Sequence, residues 1–149
     1  MIIIQDTREQ QGWEFFYPDI IVVREQMISG DYTIRGRESD LIVERKATTG
    51  ELANNIGKKW FQFCDEFQRV PADTRKVVIC EFSQQDVDSF PINSGIPYRV
   101  RKYLKISSGL MKKRIAELES NYGVEFIFAG NKFNAQEIAL GIFREYYEN

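Results

Sequence analysis

The amino-acid sequence predicts a single α/β domain in which a mixed β-sheet is flanked by helices. Its length of 149 residues fits one domain, and its 43% hydrophobic residues can form a core. With 28% charged residues, the balance is that of a globular protein and not of a disordered chain. The predicted order of elements is β-β-β-β-α-β-α-β-α. Because the last three strands alternate with helices, this order indicates the α/β class.

Four strand-type segments occupy the first third of the chain. Met1–Gln5 is short and apolar, and Asp19–Gln26 contains a run of β-branched residues. Tyr32–Arg35 and Leu41–Lys46 have strand-type composition as well, and the turn residues of Gly36–Asp40 between them predict a hairpin.

The first helix is predicted to follow Thr48, which can form a capping box with Glu51. Apolar residues at helical spacing continue to about Val70, and Gly57 within this stretch predicts a kink or close packing. A strand is predicted at Lys76–Phe82, followed by an irregular stretch over Ser83–Pro97. A helix within Tyr98–Tyr122 is predicted to stop at Gly123, and a strand follows at Val124–Ala129. A last helix is predicted after Asn134, which caps it together with Glu137.

The composition excludes several kinds of catalysis. The chain has no histidine, so Ser-His-Asp and Cys-His mechanisms and histidine-ligated zinc are excluded. Cys64 and Cys80 lie in apolar segments and are interpreted as buried free thiols. The chemistry that remains uses carboxylates, lysine, arginine and a hard cation such as Mg²⁺.

Nothing in the sequence indicates a membrane segment or a secretion signal. No run approaches the roughly 18 apolar residues of a membrane-spanning helix. The start, Met1–Asp6, lacks both a basic region and a long apolar stretch, so it is not a signal peptide. We therefore expect a cytoplasmic protein that works in the nucleoid or nucleus, where DNA is.

Residues 89–116, which we call the basic run, contain no acid and carry a charge of +7, whereas the rest of the chain carries −9. Tyr98 and Tyr103 lie within it, and basic residues interleaved with aromatics suit a phosphate backbone with bases or sugars nearby. Two other interpretations stay open, namely a solvated helix face and surface salt bridges to acids elsewhere. The basic residues are Arg99, Arg101, Lys102, Lys105, Lys112, Lys113 and Arg114.

A group of acidic residues lies where strands end or turn, and its members are Asp6, Glu9, Asp31 and Glu44. Glu44 and Lys46 are two residues apart on one strand, so they share a face, while Arg45 points to the other side. Hairpin pairing can bring Asp31 beside Glu44. An aspartate, a glutamate and a lysine would then converge on one point.

This convergence suits phosphodiester hydrolysis. Two carboxylates can hold a divalent cation, which lowers the pKa of a bound water and neutralises the phosphate in the transition state. A nearby lysine can orient or deprotonate the water or stabilise the developing charge. The competing interpretation is a ladder of surface salt bridges along a hairpin.

Three motifs taken together favour the catalytic interpretation. They are Asp6-Thr7-Arg8-Glu9, Gly30-Asp31-Tyr32 and Glu44-Arg45-Lys46, with twelve residues between Asp31 and Glu44. This combination resembles the signature of the XPF-type structure-specific nuclease family, which includes the archaeal Hef helicase–nuclease. The resemblance implies a restriction-endonuclease-like fold and metal-dependent cutting of branched or flapped DNA, with single-stranded DNA as another candidate. It covers nearly the whole chain as one nuclease domain, residues 1–149.

The resemblance also implies roles for individual residues. Four carboxylates would surround a Mg²⁺ or Mn²⁺ ion, together with the Arg45 carbonyl; they are Asp6, Glu9, Asp31 and Glu44. Lys46 would be the catalytic lysine, and Arg8 and Arg45 would order the site or contact phosphate. Gly57, Lys58 and Gln62 match family positions on the following helix and could project toward the same pocket.

The sequence departs from the family pattern in three respects. Gly50 stands where the family has an acid after the motif lysine, so Glu51 has both a catalytic and a capping interpretation. The segment 83–108 is longer than expected. The 149 residues contain no helix-hairpin-helix or helicase domain, so DNA binding is expected to rely on the basic run or on a DNA-targeting protein partner.

Other functions and assemblies stay open. A non-catalytic DNA-binding subunit of the same fold is the alternative, and a restriction-type or recombination nuclease is a third candidate. DNA repair, recombination and mobile-element processing fit equally. A homodimer is also compatible with the last helix, where Ile138, Ile142 and Phe143 are predicted to be core while Tyr146 and Tyr147 are unassigned.

Overall fold

A computed structural model describes residues 1–149 and contains one six-stranded mixed sheet with helices on both faces. The strands are β1 (Ile2–Asp6), β2 (Ile21–Glu25), β3 (Tyr32–Ile34), β4 (Leu41–Lys46), β5 (Arg75–Cys80) and β6 (Val124–Phe128). The α-helices are α1 (Thr49–Ile56), α2 (Trp60–Gln68), α3 (Gln84–Asp88), α4 (Ser108–Tyr122) and α5 (Lys132–Glu148). A 3-10 helix spans Tyr98–Tyr103.

The strand order is β2-β1-β3-β4-β5-β6. β1 pairs in parallel with β2 and antiparallel with β3, and β3 and β4 form the antiparallel hairpin that the sequence predicts. β4, β5 and β6 are parallel, and helices connect them. The predicted α/β class with a mixed sheet is confirmed.

Two apolar cores lie on opposite faces of the sheet. One packs α5 and the segment around Trp13 against the sheet, and the other packs α1, α2 and α4 against it. Along β4 the side chains alternate, because successive residues of a strand point to opposite faces. Leu41 and Val43 belong to the α5 core, whereas Ile42 belongs to the other.

The helices differ from the sequence prediction in three places. The stretch after Thr48 is two helices, because the chain breaks at Gly57. The segment predicted to be irregular contains α3, which Ser83 caps in a capping box. The last helix begins earlier than predicted, because Asn131 and not Asn134 is its N-cap. The Asn131 side chain accepts a hydrogen bond from the Asn134 amide.

Several smaller predictions are confirmed. Gly123 ends α4 in the left-handed conformation, with φ of 67°. Ile142 and Phe143 are buried in the α5 core, and Ile138 packs against it. Both cysteines are free, Cys80 fully buried and Cys64 partly. No helix combines the length and the apolar character that crossing a membrane requires.

Candidate active site

Asp31 directly precedes β3 and lies close to Glu44 of β4. In the hairpin, Tyr32 pairs with Val43, and Asp31 bonds to the backbone on either side of Glu44. The Asp31 amide donates to the Val43 carbonyl at 2.9 Å, and the Arg45 amide donates to Asp31 Oδ2 at 2.7 Å. Backbone groups on both strands therefore fix the Asp31 carboxylate beside Glu44.

The turn that precedes Asp31 is attached to α2. Gly30 has φ of 80°, a conformation that side chains other than glycine's rarely adopt, and a Cβ there would also lie 3.2 Å from the Ile42 Cβ. The Ser29 hydroxyl donates to the Glu66 carbonyl at 2.6 Å. The positive φ of Gly30 explains why the motif has glycine before its aspartate, and the Ser29 hydrogen bond connects this turn to α2.

Lys46 lies on the same face as Glu44, as the strand alternation predicts. Its Nζ is 2.8 Å from Glu44 Oε1 and 5.4 Å from the centre of the Phe63 ring. Arg45 points to the opposite face, where its Nε is 2.7 Å from Glu81 Oε2. The aspartate, glutamate and lysine therefore meet at one point on the α1–α2 side of the sheet.

A polar cavity of about 310 Å³ opens at this point. Eleven residues line it, and Ile28 is the one hydrophobic residue among them. Its carboxylates come from five separate segments of the chain. They are Asp6, Glu9, Asp31, Glu44, Glu51 and Glu66.

The electrostatics of the cavity follow from this crowding of carboxylates. Burial, and then the charge of Glu44, raises the pKa of Asp31 well above its usual value. The same two causes, in the same order, raise the pKa of Glu66 to about 7. Burial lowers the pKa of Lys46, but the Glu44 and Asp31 carboxylates outweigh it, so the net shift is upward. Lys46 is therefore an ammonium ion at neutral pH.

Asp6 departs from the expectation of a metal ligand. Its Oδ1 accepts from the Met27 amide and from Arg8 Nη2, and its Oδ2 accepts from the amide and the Nε of Arg8. Burial works to raise the pKa of Asp6, but these hydrogen bonds outweigh it and leave the pKa lowered. All four acceptor positions of the carboxylate are used, so Asp6 fits a structural role in which it orders Arg8 and the loop at Met27.

Arg45 and Glu9 take part in a second buried network. The Arg45 guanidinium contacts both oxygens of Glu81 and lies 3.4 Å from Glu9 Oε1. The Trp13 indole also donates to Glu81 at 2.7 Å. Arg45 is thus engaged with carboxylates and orders the site, while Glu9 keeps Oε2 available on the cavity side. Arg8, with an exposed side chain, is the arginine that phosphate can reach.

The donor set fits a hard divalent cation held by few protein ligands. No group of three or more acidic, cysteine or histidine side chains is spaced to hold a metal ion, so the expected ring of four carboxylates is not formed. Mg²⁺ usually keeps several waters and takes only one or two carboxylates. Asp31 and Glu44 match that pattern, because a cation between them would relieve the repulsion that raises the Asp31 pKa.

The residues predicted to bind nucleic acid lie outside this cavity. Gln62 is exposed on α2, and Lys58 lines a different groove next to Lys105. In the basic run, only Lys112 forms a salt bridge, at 3.2 Å to Asp88. The interpretation of this run as surface salt bridges is therefore wrong for the other six basic residues.

Glu66 is a cavity residue that the sequence analysis missed. It follows Phe63 by three positions and precedes Phe67, and both phenylalanines are buried. An acid within the apolar stripe of an amphipathic helix was the available signal. The capping interpretation of Glu51 is confirmed, since its amide donates to the Thr48 side chain. Its Oε1 also lies 3.8 Å from Lys46 Nζ, and its catalytic role stays a prediction.

The sheet order and the helices on both faces define an α/β fold around a mixed six-stranded sheet, and carboxylates gather at one end of its hairpin. Comparison with solved structures specifies the fold further. The structure of XPF from Aeropyrum pernix in complex with DNA matches 99% of this chain with a TM-score of 0.66 at 17% identity. A second structure of XPF from Aeropyrum pernix matches 98% with a TM-score of 0.65 at 17% identity. The chain has the XPF-type nuclease fold.

The match covers 65% of the first XPF chain and 61% of the second, so this chain spans less than two thirds of either. No family model matches the sequence, and no curated protein does.

Proposed function

We propose that this protein is a divalent-metal-dependent DNA endonuclease that hydrolyses phosphodiester bonds. The observation that carries the proposal is the convergence of three side chains on one face of the hairpin. Asp31 and Glu44 line a cavity rich in carboxylates, and the buried Lys46 lies directly behind Glu44, with its Nζ 2.8 Å from Glu44 Oε1. Asp31 and Glu44 are the proposed ligands of Mg²⁺ or Mn²⁺, with Glu9 and Glu66 at the margin.

Each residue has a chemical task in this proposal. When bound, the cation supplies a water of lowered pKa and positive charge for the phosphate. Lys46 is protonated, so it acts as a fixed positive charge that stabilises the negative charge developing on the phosphate, not as a proton acceptor. Glu44 and Phe63 hold the Lys46 ammonium in place. Arg8, at the rim of the cavity, is positioned to contact a neighbouring phosphate.

DNA is the proposed substrate for two reasons. A structure of similar fold, XPF from Aeropyrum pernix, is a complex with DNA. The basic run of this chain keeps six cations without a salt bridge, which suits a polyanion. Branched, flapped and single-stranded DNA are the candidate substrate forms, and work in DNA repair or recombination is consistent with them.

A cleavage panel tests the proposal. Purified protein is incubated with flaps, forks, junctions, single strands and duplex in Mg²⁺ or Mn²⁺, with and without EDTA. We expect metal-dependent cutting of at least one form and none in EDTA. DNA binding without cutting under every condition would favour the alternative, a non-catalytic DNA-binding subunit. Cutting that persists in EDTA would contradict the metal mechanism.

A further inference from the structure

A second, larger groove lies on the outer side of α1. Its volume is about 770 Å³, and it separates α1 from the chain between residues 96 and 114. Two glycines line it, Gly50 in α1 and Gly57 directly after it. A Cβ on Gly50 would lie 2.4 Å from the Ser94 carbonyl oxygen, whereas a Cβ on Gly57 would make only an ordinary contact, at 3.5 Å, with the Ile106 side chain. The basic run therefore packs closely against the start of α1.

The groove has mainly apolar walls, since six of its twelve lining residues are hydrophobic, and it also carries three cations without a carboxylate partner. Lys58, Lys105 and Arg114 line it, and none of the three forms a salt bridge. Arg114 instead donates to the Ile56 carbonyl and stacks 4.8 Å from the Trp60 ring centre. Cations that the protein leaves without an acid partner are suited to an anionic ligand that tracks along the groove.

Two tyrosines of the 3-10 helix are unusually exposed. Tyr98 is 85% exposed and Tyr103 is 71% exposed. Arg101 lies 5.6 Å from the Tyr98 ring centre, and Lys102 lies 5.2 Å from that of Tyr103, so each ring has a cation near it. Tyr103 also lines the groove. Exposed aromatic rings beside cations form the combination on which unpaired bases stack while their phosphates are neutralised.

The groove lies next to the acidic cavity. Gly50 lines the groove and the next residue, Glu51, lines the cavity. The Cα atoms of successive residues are about 3.8 Å apart, so the first turn of α1 separates the two sites. A strand in the groove would therefore lie close to the proposed metal ligands.

We propose that this groove, with Tyr98 and Tyr103, is a subsite for the bases and phosphates of an unpaired DNA strand. A duplex cannot use it fully, because its bases are stacked on one another and present only phosphates to the tyrosines. This inference rests on the proposed function for its choice of DNA as the ligand. It adds the distinction between unpaired and paired strands and the residues that make it.

The test compares binding of a short oligothymidylate with binding of a duplex, by fluorescence anisotropy in EDTA so that no cutting occurs. Replacing Tyr98 and Tyr103 together by Ala should weaken oligothymidylate binding by at least about tenfold and duplex binding by less than about twofold. The double Phe variant, which keeps both rings, should bind the oligothymidylate as the wild type does. Tyr147→Ala, which removes an exposed tyrosine of α5, is the matched control and should change neither affinity.

Equal losses on both DNAs would overturn the proposal, because the tyrosines would then not distinguish unpaired bases. Unchanged oligothymidylate binding by the double Ala variant would overturn it too, because the tyrosines would then not contact the bases. Melting temperatures of the variants show whether a loss comes from unfolding. Since binding is measured without metal, a wild type that fails to cut DNA would overturn the endonuclease proposal and leave this comparison intact.

Discussion

The Lys46 ammonium lies 2.8 Å from the Glu44 carboxylate, and Asp31, which bonds to the backbone of Val43 and Arg45, is close to the same glutamate. Removing the positive charge of Lys46 should therefore affect both the rate of the chemical step and the repulsion between the Glu44 and Asp31 carboxylates. We expect Lys46→Met, which keeps the apolar stem against Phe63, to slow the chemical step by roughly 10²–10⁴-fold. Single-turnover cleavage at saturating DNA measures this rate. The control is Lys132→Met, which removes an exposed lysine at the start of α5. A rate within a few-fold of the wild-type rate would show that Lys46 has only a structural role.

Carboxamide substitutions test the proposed metal ligands. Asp31→Asn and Glu44→Gln should abolish cutting while DNA affinity stays nearly unchanged, because a carboxamide is a poor ligand for a hard cation. Glu137→Gln, on the exposed side of α5, should behave like the wild type. Metal-dependent cleavage by either site variant at a wild-type rate would remove that residue from the metal site. Asp6→Asn should instead lower the melting temperature, because it weakens the hydrogen bonds that hold Arg8.

The raised pKa of Glu66 predicts how stability depends on pH. Its pKa is 4.5 in the unfolded chain and about 7 in the folded protein, so between these values the folded state binds more protons. The free energy of unfolding of the metal-free protein should therefore fall as pH rises through this window. Glu66→Gln should reduce this decrease in the free energy of unfolding by about 1 kcal/mol. The effect is of this modest size because the side chain is partly exposed. Urea titrations in EDTA at several pH values measure it, and an unchanged pH profile would contradict the assignment.

Metal binding should show the opposite pH dependence. A cation must displace the protons that Asp31 and Glu66 retain, so its affinity rises as these groups ionise. Mn²⁺ should raise the melting temperature more at about pH 8 than at about pH 6. The shift should be much smaller in Glu44→Gln. An equal shift at both pH values would indicate that the ion binds elsewhere.

The basic run predicts the salt dependence of DNA binding. Arg99, Lys102 and Lys105 form no salt bridge, so each is free to neutralise a phosphate. Replacing all three by Glu should weaken binding and flatten the slope of log K against log salt by up to about 2.7, since each contact contributes about 0.9. Lys112→Glu, which removes a cation already paired with Asp88, should change the slope less. An unchanged slope in the triple variant would exclude this surface from DNA binding.

The close contact of Gly50 in α1 allows a stability test, with the unhindered Gly141 of α5 as the matched control. Gly50→Ala would place a Cβ 2.4 Å from the Ser94 carbonyl, so we expect a loss of roughly 1–3 kcal/mol in the free energy of unfolding. Gly141→Ala, in the interior of α5 with no atom within 4 Å of the new Cβ, should stabilise by up to about 1 kcal/mol. Chemical denaturation measures both values. Equal effects of the two substitutions would show that the basic run does not press on α1.

Local signals accounted for most of the fold and for the centre of the site. The alternation along β4 was enough to place Glu44 and Lys46 on one face and Arg45 on the other. The start of α5 was misplaced because Asn131 and Asn134 both suit a cap, and only the turn after β6 decides between them. Gly57 was predicted to mark a kink or close packing, and the structure shows a break between two helices, with only an ordinary contact to Ile106.

Features that depend on tertiary contacts could not be predicted. The groove outside α1 exists because distant segments approach Gly50 and Gly57, and nothing near either glycine in sequence indicates this. Asp6 matched a ligand motif, but its carboxylate is used by amides that only the folded loop brings close. Glu66 did carry a local signal, but its raised pKa depends on Glu44 in another element.

The alternation along β4 also limits how the hairpin can vary. A shift of β4 by one residue against β3 would turn the guanidinium of Arg45 into the acidic cavity and turn both Glu44 and Lys46 away from it. Such a shift would replace a carboxylate of the cavity by a guanidinium without changing a single amino acid. The loop Gly36–Asp40 fixes this pairing, and Gly36, with φ of 94°, has a backbone conformation that favours glycine. An insertion or deletion there is compatible with the chemistry only if the loop absorbs it and leaves the strand pairing in place.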